Sequence, residues 1–393
     1  MIKKITVFTA FLFFLISVLP VFSDSAEVWT RLYRRSSSIE QKEMVLQNIV
    51  KLNDRGVEPI LIEALEEMIN NQEKFRGDRA LMMKWVDISS MIVKALGTLK
   101  TRDAEDLVWF VVNHPGDNSL LKADALIALG EMRAIGYAPE IATILRNLNL
   151  NTQQDNRTNA EIEAYGCVLA LQKMRDPLGF EPVFYAATGW YSRRTKNLAL
   201  ESLKAISEDP TEPVMKIMID ADFKTKKIAL QVEKDSSASV ENKDKVAILA
   251  LEEGHKYQTS DKKQLDDLSK LRVEAIKILI ENESKDDAAV PFLKKTVELA
   301  KDGNEIIYSY FALGVIGSDA AVDVLSEKLS YFNRRQSDGI EASRDQLEYI
   351  KQIIKSIGMS GNSRGNAALR EVQFSNYTPA IVRLAKQAQT ELQ

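Results

Sequence analysis

Prolines that open apolar helical segments constrain the fold of this chain more than any other feature. Proline is favoured at the start of a helix, because it lacks the amide hydrogen that would be unpaired there. Six of the ten prolines introduce an apolar run with helical spacing, and they are Pro59, Pro139, Pro182, Pro213, Pro291 and Pro379. Their intervals correspond to one or two units of about 30–45 residues, the period of helical-pair repeats. The pattern predicts a repeat built from short helices.

A second landmark is the triplet Ala-Leu-Gly near the end of a helical segment. Three copies and one divergent copy occur at residues 95–97, 128–130, 312–314 and 356–358. Glycine supplies the left-handed backbone that closes many helices before a tight turn. We therefore predict that each triplet ends a helix. We also expect the alanines Ala95, Ala128 and Ala312 to be packed between neighbouring helix pairs.

Together these residues resemble the HEAT-repeat superfamily, especially the bacterial HEAT-like repeats of phycobilin lyases. The resembling pattern is a helix, Ala-Leu-Gly, a short turn and an Ala-Pro or Ala-Ala start of a second helix, over about residues 40–390. The resemblance implies an all-α fold, an α-solenoid of about eight or nine stacked antiparallel helix pairs. It says little about activity, because such arrays serve many functions.

The segment 1–23 has the features of a secretory signal peptide. Lys3 and Lys4 precede a nearly continuous apolar run, and Pro20 interrupts this run shortly before Asp24. We predict an exported protein, periplasmic or secreted, that keeps no stable membrane span after the signal is cleaved. A retained signal anchor in the inner membrane is the alternative.

Residues 232–245, with the sequence VEKDSSASVENKDK, interrupt the helical pattern. They are charged, rich in serine and nearly free of large apolar side chains. Such a composition predicts an exposed, flexible charged loop. This loop would separate N-terminal HEAT-like repeats at 24–231 from C-terminal ones at 246–393.

Composition and motifs argue against several functional classes. The 52 basic and 56 acidic residues give a net charge of −4, which offers no basic surface for nucleic acid. One cysteine, Cys167, and two histidines, His114 and His255, exclude an intrachain disulfide framework and a multi-histidine metal centre. Motifs for nucleotide binding or hydrolysis are also missing. We predict no enzymatic activity and no cofactor.

The cysteine and the two histidines each have a simple structural interpretation. Cys167 lies in an apolar helical run, so we expect it to be buried and not to carry a bilin. His114 precedes a proline at a turn and is expected to cap a helix or lie at the surface. His255 is expected to be a cation that complements the end of a helix.

Arginine pairs near aromatic residues are the candidate binding feature. The residues concerned are Arg34, Arg35, Trp190, Tyr191, Arg193, Arg194, Tyr331, Arg334 and Arg335. Guanidinium groups bind carboxylates or phosphates in two-pronged geometry, and aromatic rings add stacking surface. The alternative interpretation is that these cations only complement the carboxyl ends of helices.

We predict a non-enzymatic scaffold or adaptor for protein partners in the cell envelope, since a repeat stack exposes a large surface. The alternative function is a binding module for an anionic envelope polymer or a phosphate-bearing ligand, through the arginine–aromatic loops. An enzyme with catalytic residues scattered over several repeats is a third class. The sequence specifies neither the partner nor the oligomeric state.

Overall fold

The computed structural model describes residues 25–151, 156–257 and 259–392. These residues form twenty α-helices joined by turns and short 3₁₀ segments, and they contain no strand. The all-α fold class predicted from the sequence is confirmed. The predicted signal peptide lies outside the described residues. None of the described helices is long and apolar enough to cross a membrane.

The chain divides into two compact units, and the boundary along the sequence falls between residues 206 and 207. The first unit contains α1 (Ser25–Arg35), α2 (Ile39–Leu52), α3 (Glu58–Phe75), α4 (Arg79–Leu99), α5 (Glu105–Asn113), α6 (Ser119–Met132), α7 (Ala138–Leu150), α8 (Arg157–Met174), α9 (Phe180–Thr188) and α10 (Arg193–Ile206). The second contains α11 (Thr211–Asp220), α12 (Phe223–Lys234), α13 (Val240–Lys256), α14 (Lys262–Glu281), α15 (Val290–Leu299), α16 (Gly303–Ile316), α17 (Asp319–Ser337), α18 (Arg344–Ser360), α19 (Asn366–Glu371) and α20 (Pro379–Glu391).

Within each unit the helices pack as sequential pairs and alternate between two layers. The even-numbered helices contact one another in order, from α2 to α10 in the first unit and from α12 to α20 in the second. Odd-numbered neighbours, such as α7 and α9 or α11 and α13, pack side by side in the other layer. We call these the even layer and the odd layer. This stacking of helix pairs is the α-solenoid arrangement that the repeat pattern predicted.

The prolines mark helix starts as predicted. Each of the six lies within the first three residues of a helix; these helices are α3, α7, α9, α11, α15 and α20. Proline is tolerated there because the first amides of a helix have no carbonyl partner within it. These prolines therefore mark helix starts correctly in both units.

The glycines of the Ala-Leu-Gly triplets do not end their helices, contrary to our prediction. Gly97 lies inside α4, and the left-handed residue that closes this helix comes three positions later, at Lys100 with φ 60°. Gly130 lies inside α6, and Arg133 closes that helix with φ 56°. The prediction failed because a glycine that closes a helix and one that sits a turn earlier produce the same sequence pattern.

These glycines instead allow neighbouring helices of the even layer to approach closely. A Cβ atom on Gly97 would lie 2.8 Å from the Cα atom of Ala128 in α6. One on Gly130 would lie 2.7 Å from the Cα atom of Ala170 in α8. The triplet alanines Ala95, Ala128 and Ala312 are all buried, and Ala128 packs against Gly97 of the preceding even-layer helix, as predicted.

Residues 232–245 are mostly helical, so the predicted flexible loop is wrong. Helix α12 ends and α13 begins within this range, and only a five-residue turn separates them. Ser239 caps α13 by accepting a hydrogen bond from the amide of Asn242 at 3.2 Å. Asp244 is buried and accepts a hydrogen bond from the Asn282 side chain at 2.8 Å. Polar composition misled the prediction because these side chains are paired within the fold.

Buried charges connect the helices of the second unit. The Lys226 ammonium on α12 lies 2.5 Å from a carboxylate oxygen of Glu253 on α13, and both side chains are only 1% exposed. Lys256 binds the other oxygen of Glu253 at 2.8 Å. Lys226 also donates to the carbonyl oxygen of Ile219 on α11. Burial by itself would raise the pKa of Glu253, but the two ammonium groups hold it below its ordinary value.

His255 lies in the last turn of α13, where we predicted a cation. Burial is the main reason that its pKa falls to about 4, and the charges of Arg272 and Lys295 lower it further. Its Nε2 atom lies 2.8 Å from the hydroxyl of Thr296, which itself donates to the carbonyl oxygen of Phe292. The imidazole therefore donates to Thr296 and is neutral at pH 7, so the prediction of a cation is wrong.

We expect His255 to make the protein less stable as the pH falls from about 6.5 to about 4. In this window the unfolded chain binds the proton near the ordinary histidine pKa of about 6.5, whereas the folded chain does not. Acid therefore favours unfolding. The variant His255→Gln keeps a donor for Thr296 but cannot titrate. Its free energy of unfolding should depend on pH less steeply, by about 2 kcal/mol across the window. Urea titrations at several pH values measure this, and identical pH slopes for both proteins would contradict it.

Candidate functional site

A surface groove crosses the even layer of the first unit, and we call it the α6–α8 groove. Its volume is about 500 Å³, and it lies between α6, α8 and the amino-terminal end of α10. Its apolar lining comes from Leu120, Ile127, Ile162 and the ring of Tyr165. Leu120 is 61% exposed, so this apolar surface is open to a partner. Isolated exposed leucines are common on protein surfaces. An exposed leucine that lines a groove beside an aromatic ring is more typical of a residue that contacts a protein partner.

One carboxylate of the groove, Asp124, is paired within the fold. It lies 2.8 Å from the ammonium of Lys94 and accepts a hydrogen bond of 2.6 Å from the Ser90 hydroxyl. Both partners come from α4, the preceding helix of the even layer. The negative charge of Asp124 is therefore already compensated.

The other carboxylate is that of Glu161, a residue of α8 whose side chain lies at the amino-terminal end of α10. It accepts hydrogen bonds from the amide of Ser192 at 3.1 Å and from the hydroxyl of Thr195 at 2.8 Å. Partial burial opposes ionisation, but these bonds hold the pKa of Glu161 below its ordinary value. A helix amino terminus attracts anions. Here the protein's own carboxylate fills the place that a phosphate could take beside Arg193 and Arg194.

Arg194 is an exposed cation at the edge of the groove. Its guanidinium carbon lies 4.9 Å from the centre of the Tyr165 ring, and the side chain is exposed. It forms no ion pair with any residue of the described part of the chain. Arg193 is also exposed but does not line the groove. The groove thus combines an apolar floor with the guanidinium of Arg194, and its lining also includes Arg157, whose guanidinium carbon lies 5.7 Å from the centre of the Trp190 ring.

Trp190 and Tyr191, which the sequence marked as binding residues, attach the turn before α10 to α7. The Trp190 indole donates to the carbonyl oxygen of Leu148 at 3.2 Å, and the Tyr191 hydroxyl donates to the side chain of Asn149 at 3.0 Å. Tyr191 is only 3% exposed. Both aromatic residues therefore position the turn that precedes α10 and Arg194.

The arginines of the first helix, Arg34 and Arg35, do not line the α6–α8 groove. Arg34 at the end of α1 binds the carboxylate of Glu63 on α3 at 2.6 Å, which joins two helices of the odd layer. Arg35 is exposed at the last position of α1. Arg34 is already paired, so of this arginine pair only Arg35 remains a candidate for an external anion.

The last predicted group lies in the final two turns of α17, in the second unit. Arg335 donates to the hydroxyl of Tyr331 at 3.0 Å and lies over its ring, and Arg334 is exposed. Arg34 and Arg35 end a helix, whereas Arg193 and Arg194 begin one. Arg334 and Arg335 also lie in the last turn of a helix, so the pair at the start of α10 differs in position from the other two pairs.

Our sequence analysis missed a row of cations at helix ends in the first unit. Lys100, Arg133 and Arg175 immediately follow α4, α6 and α8, with φ values of 60°, 56° and 56°. All three side chains are exposed. The signal was visible in the repeat itself, since the sequences ALGTLK, ALGEMR and ALQKMR align and end in these cations. We call these three residues the basic row.

The backbone of the basic row is strained. A left-handed conformation costs a residue with a side chain about 1–2 kcal/mol, and glycine avoids this cost. In the second unit the corresponding positions after α16 and α18 hold Gly317 and Gly361, with φ values of 66° and 65°. The left-handed position also holds Asn53 after α2 and Glu283 after α14, with φ values of 45° and 51°, so the strained cap itself is not confined to the cations.

The basic row borders a second groove, which we call the basic groove. Its volume is about 370 Å³, and its lining includes Lys100, Arg133, Arg175 and also Lys173 and Glu131. Lys173 and Glu131 form an ion pair of 2.7 Å with each other. No described residue forms an ion pair with a member of the basic row. Three uncompensated positive charges thus face one depression of the surface.

Cys167 is buried in α8, as predicted, and burial raises the pKa of its thiol to about 12. Its thiol is therefore neutral and enclosed by the helices of the even layer. Among the residues that the structure describes, no group of three or more His, Cys, Asp or Glu side chains is arranged to hold a metal ion.

The fold defines an all-α helical-repeat protein whose first unit presents the α6–α8 groove and the basic groove among its surface depressions. No protein-family model matches the chain, and no curated protein matches its sequence. Among solved structures, the chain is similar to one from a study titled "A conserved phosphorylation switch controls the interaction between cadherin and beta-catenin in vitro and in vivo". The sequence identity is 12%, the match covers 93% of this chain and 90% of that chain, and the TM-score is 0.33. A similarity at this level assigns neither a family nor a function.

Proposed function

We propose that this chain is an exported, non-enzymatic adaptor of the HEAT type that binds a protein partner in the bacterial cell envelope. The signal-like segment 1–23 supports export, and the stacked helix pairs of both units support a binding role. The observation that carries the proposal is the α6–α8 groove, where an open apolar floor lies beside the uncompensated guanidinium of Arg194. Tyrosine and arginine are enriched among the residues that dominate protein interfaces.

The charges of the groove indicate what kind of segment it accepts. Asp124 and Glu161 are both satisfied by partners inside the protein, so they offer little to a ligand. Arg194 lies at the edge of the apolar floor and has a free charge. The groove therefore fits a partner segment with an apolar side chain next to a carboxylate. A polymer bound through anions alone would leave the apolar floor of Leu120 and Ile127 unused.

Site-specific photocrosslinking of the full chain in cells tests this proposal. A crosslinker at Leu120 should capture a protein that a crosslinker at Leu178 does not. Leu178 is a suitable control because it is similarly exposed, at 54%, but lies outside the groove. The captured protein, once purified, should bind the full chain directly, and Arg194→Glu should weaken this binding at least tenfold.

Arg193→Glu provides the matched control, since it makes the same charge change one residue outside the groove. It should leave the affinity within about twofold. Equal losses from both variants, or equal capture at both leucines, would contradict a role for the groove. Binding only to an envelope polymer, lost steeply as salt rises, would support the anionic-ligand alternative instead.

A further inference from the structure

A hydroxyl group of the second unit lies between two carboxyl groups. The hydroxyl oxygen of Thr211, the first residue of α11, lies 2.8 Å from Oε1 of Glu233 in α12 and 2.5 Å from Oδ1 of Asp209, in the turn before α11. A hydroxyl has one hydrogen to donate, whereas an ionised carboxylate only accepts. If both carboxyl groups were ionised, one of these two contacts would have no hydrogen. One of the two groups therefore supplies it.

Asp209 is the carboxylate that receives the threonine hydrogen. It is exposed, and its oxygens also accept hydrogen bonds from the amide of Thr211 at 3.1 Å and from the side chain of Asn242 at 2.7 Å. The bond from the Thr211 hydroxyl contributes most to holding the pKa of Asp209 below its ordinary value, and the charge of Lys245 adds to this effect. Three donors thus stabilise the ionised form of Asp209.

Glu233 has the opposite surroundings. It is 1% exposed, and its second carboxyl oxygen has no hydrogen-bond partner among the residues that the structure describes. Burial is the main cause that raises the pKa of Glu233, and the negative charge of Asp209 raises it further. A hydrogen bond donated by Thr211 would lower this pKa, but that hydrogen is directed to Asp209. Both the surroundings and the geometry favour the protonated form of Glu233.

We infer that Glu233 keeps its proton in the folded protein and donates it to the hydroxyl oxygen of Thr211, which in turn donates to Asp209. The contact of 2.8 Å has the usual length of a bond from a hydroxyl to an oxygen, and the contact of 2.5 Å is typical of a bond to an ionised oxygen. Loss of the proton leaves two oxygen atoms facing each other without a hydrogen, beside a buried charge. The contact between α11 and α12 is therefore a proton-dependent switch, which weakens when Glu233 is ionised.

The charged groups around α12 act on this proton in different ways. Helices α11, α13 and α14 pack against α12. The turn before α11 contributes the anion described above, and α13 contributes Lys243, whose positive charge lowers the pKa of Glu233. On the side of α14, Lys234 of α12 is already paired with two carboxylates of that helix, Glu274 and Glu281. Lys243 therefore opposes the proton, whereas burial and the neighbouring anion retain it.

The sign of the pH dependence follows from the raised pKa of Glu233. The folded chain binds this proton more tightly than the unfolded chain, in which the ordinary glutamate pKa of about 4.3 applies. The stabilising contribution of Glu233 is thus fully present below a pH of about 4.3 and is lost as the pH rises through the pKa of the folded state. His255 is unchanged in the variants below, so its opposite contribution cancels in each comparison.

Infrared difference spectroscopy of the full chain at pH 6 tests for the proton. At this pH an exposed glutamate with its ordinary pKa is about 98% ionised. Glu233→Gln keeps a donor for Thr211 and should remove the carbonyl band of one protonated carboxyl group. Glu208→Gln, which changes an exposed glutamate in the turn before α11, should leave this band unchanged. A band of equal intensity in the wild type and in Glu233→Gln would overturn the inference.

Hydrogen exchange tests what the proton controls. After correction for the intrinsic effect of pH, the α11 amides of the wild type should be at least about fivefold less protected at pH 9 than at pH 6, because a buried group without its hydrogen bond is costly. Glu233→Gln cannot lose a proton, so its protection should change by less than about twofold. Equal changes in the two proteins would show that Glu233 does not control the packing of α11.

Thr211→Val separates the hydrogen-bond chain from burial alone. In the inferred chain the Thr211 oxygen accepts the proton of Glu233, so its removal makes the protonated form less stable. The infrared band of Glu233 should then titrate at a lower pH than in the wild type. If Thr211 instead donates to an ionised Glu233, the same substitution shifts the titration to a higher pH. That outcome, or the absence of any shift, would overturn the chain.

Discussion

Glu253→Gln is expected to destabilise the second unit by about 3–5 kcal/mol. The substitution leaves the Lys226 ammonium buried at 1% exposure without a counter-ion, and its remaining partners are neutral: the glutamine amide oxygen, the carbonyl oxygen of Ile219 and the ring of Tyr257. A buried ammonium without a counter-ion is costly, because a neutral amide oxygen does not supply the negative charge of the lost carboxylate. The free energy of unfolding from urea denaturation measures the loss.

Two further variants show whether burial is the cause. The exposed pair Lys294–Glu327 has the same residue types at 3.0 Å, so Glu327→Gln should cost less than about 1 kcal/mol. The double variant Lys226→Met/Glu253→Leu removes both buried charges and should be close to the wild type in stability. If Glu253→Gln costs no more than Glu327→Gln, the buried pair is not desolvated and our description of it is wrong.

Gly130→Ala is expected to destabilise the first unit by about 3 kcal/mol, at the upper end of the cost of overpacking. The added methyl group would lie 2.7 Å from the Cα atom of Ala170 and 3.1 Å from its carbonyl oxygen. These are backbone atoms and cannot move aside as a flexible side chain could. Alanine also favours the helical state by about 1 kcal/mol over glycine, so the steric cost must exceed this gain.

Gly136→Ala is the control for this substitution. Gly136 lies in the turn after α6, and a Cβ atom there would meet nothing within 4 Å. Alanine should leave the stability unchanged or raise it by about 0.4–1 kcal/mol, because it restricts the unfolded chain. Thermal unfolding of both variants compares the two sites. A Gly130→Ala protein as stable as Gly136→Ala would show that α6 and α8 are not in backbone contact.

The helical-repeat fold could be predicted because its signals are local. Proline reports a helix start wherever it occurs, as at Pro59 and Pro291, since the missing amide hydrogen acts within one turn. Small residues report close packing, as at Gly130 and Ala128, because only they let two helix backbones meet. The residue at which each helix ends remained ambiguous, because the left-handed residue comes three positions after the glycine.

Features that depend on distant residues could not be predicted. Lys226 and Glu253 lie on different helices, and nothing in the local sequence of either shows that it is buried against the other. Asp244, within residues 240–245, is paired with Asn282, which follows the end of α14. The charge state of His255 depends on its burial beside Thr296. In each case the determining contact forms only when the helices pack.

The two layers of the first unit differ in the contacts between their helices, so its resistance to bending should depend on the direction of the bend. In the even layer, Gly97 and Gly130 place backbone against backbone, and atoms already in contact cannot approach further. In the odd layer, α7 and α9 are joined by the long side chains of Arg146 and Glu181, which can shorten or lengthen their reach by rotation. The first unit should therefore stiffen abruptly when bent so as to compress its even layer and yield gradually when bent the other way. A partner that binds the even layer would therefore contact the layer that resists compression.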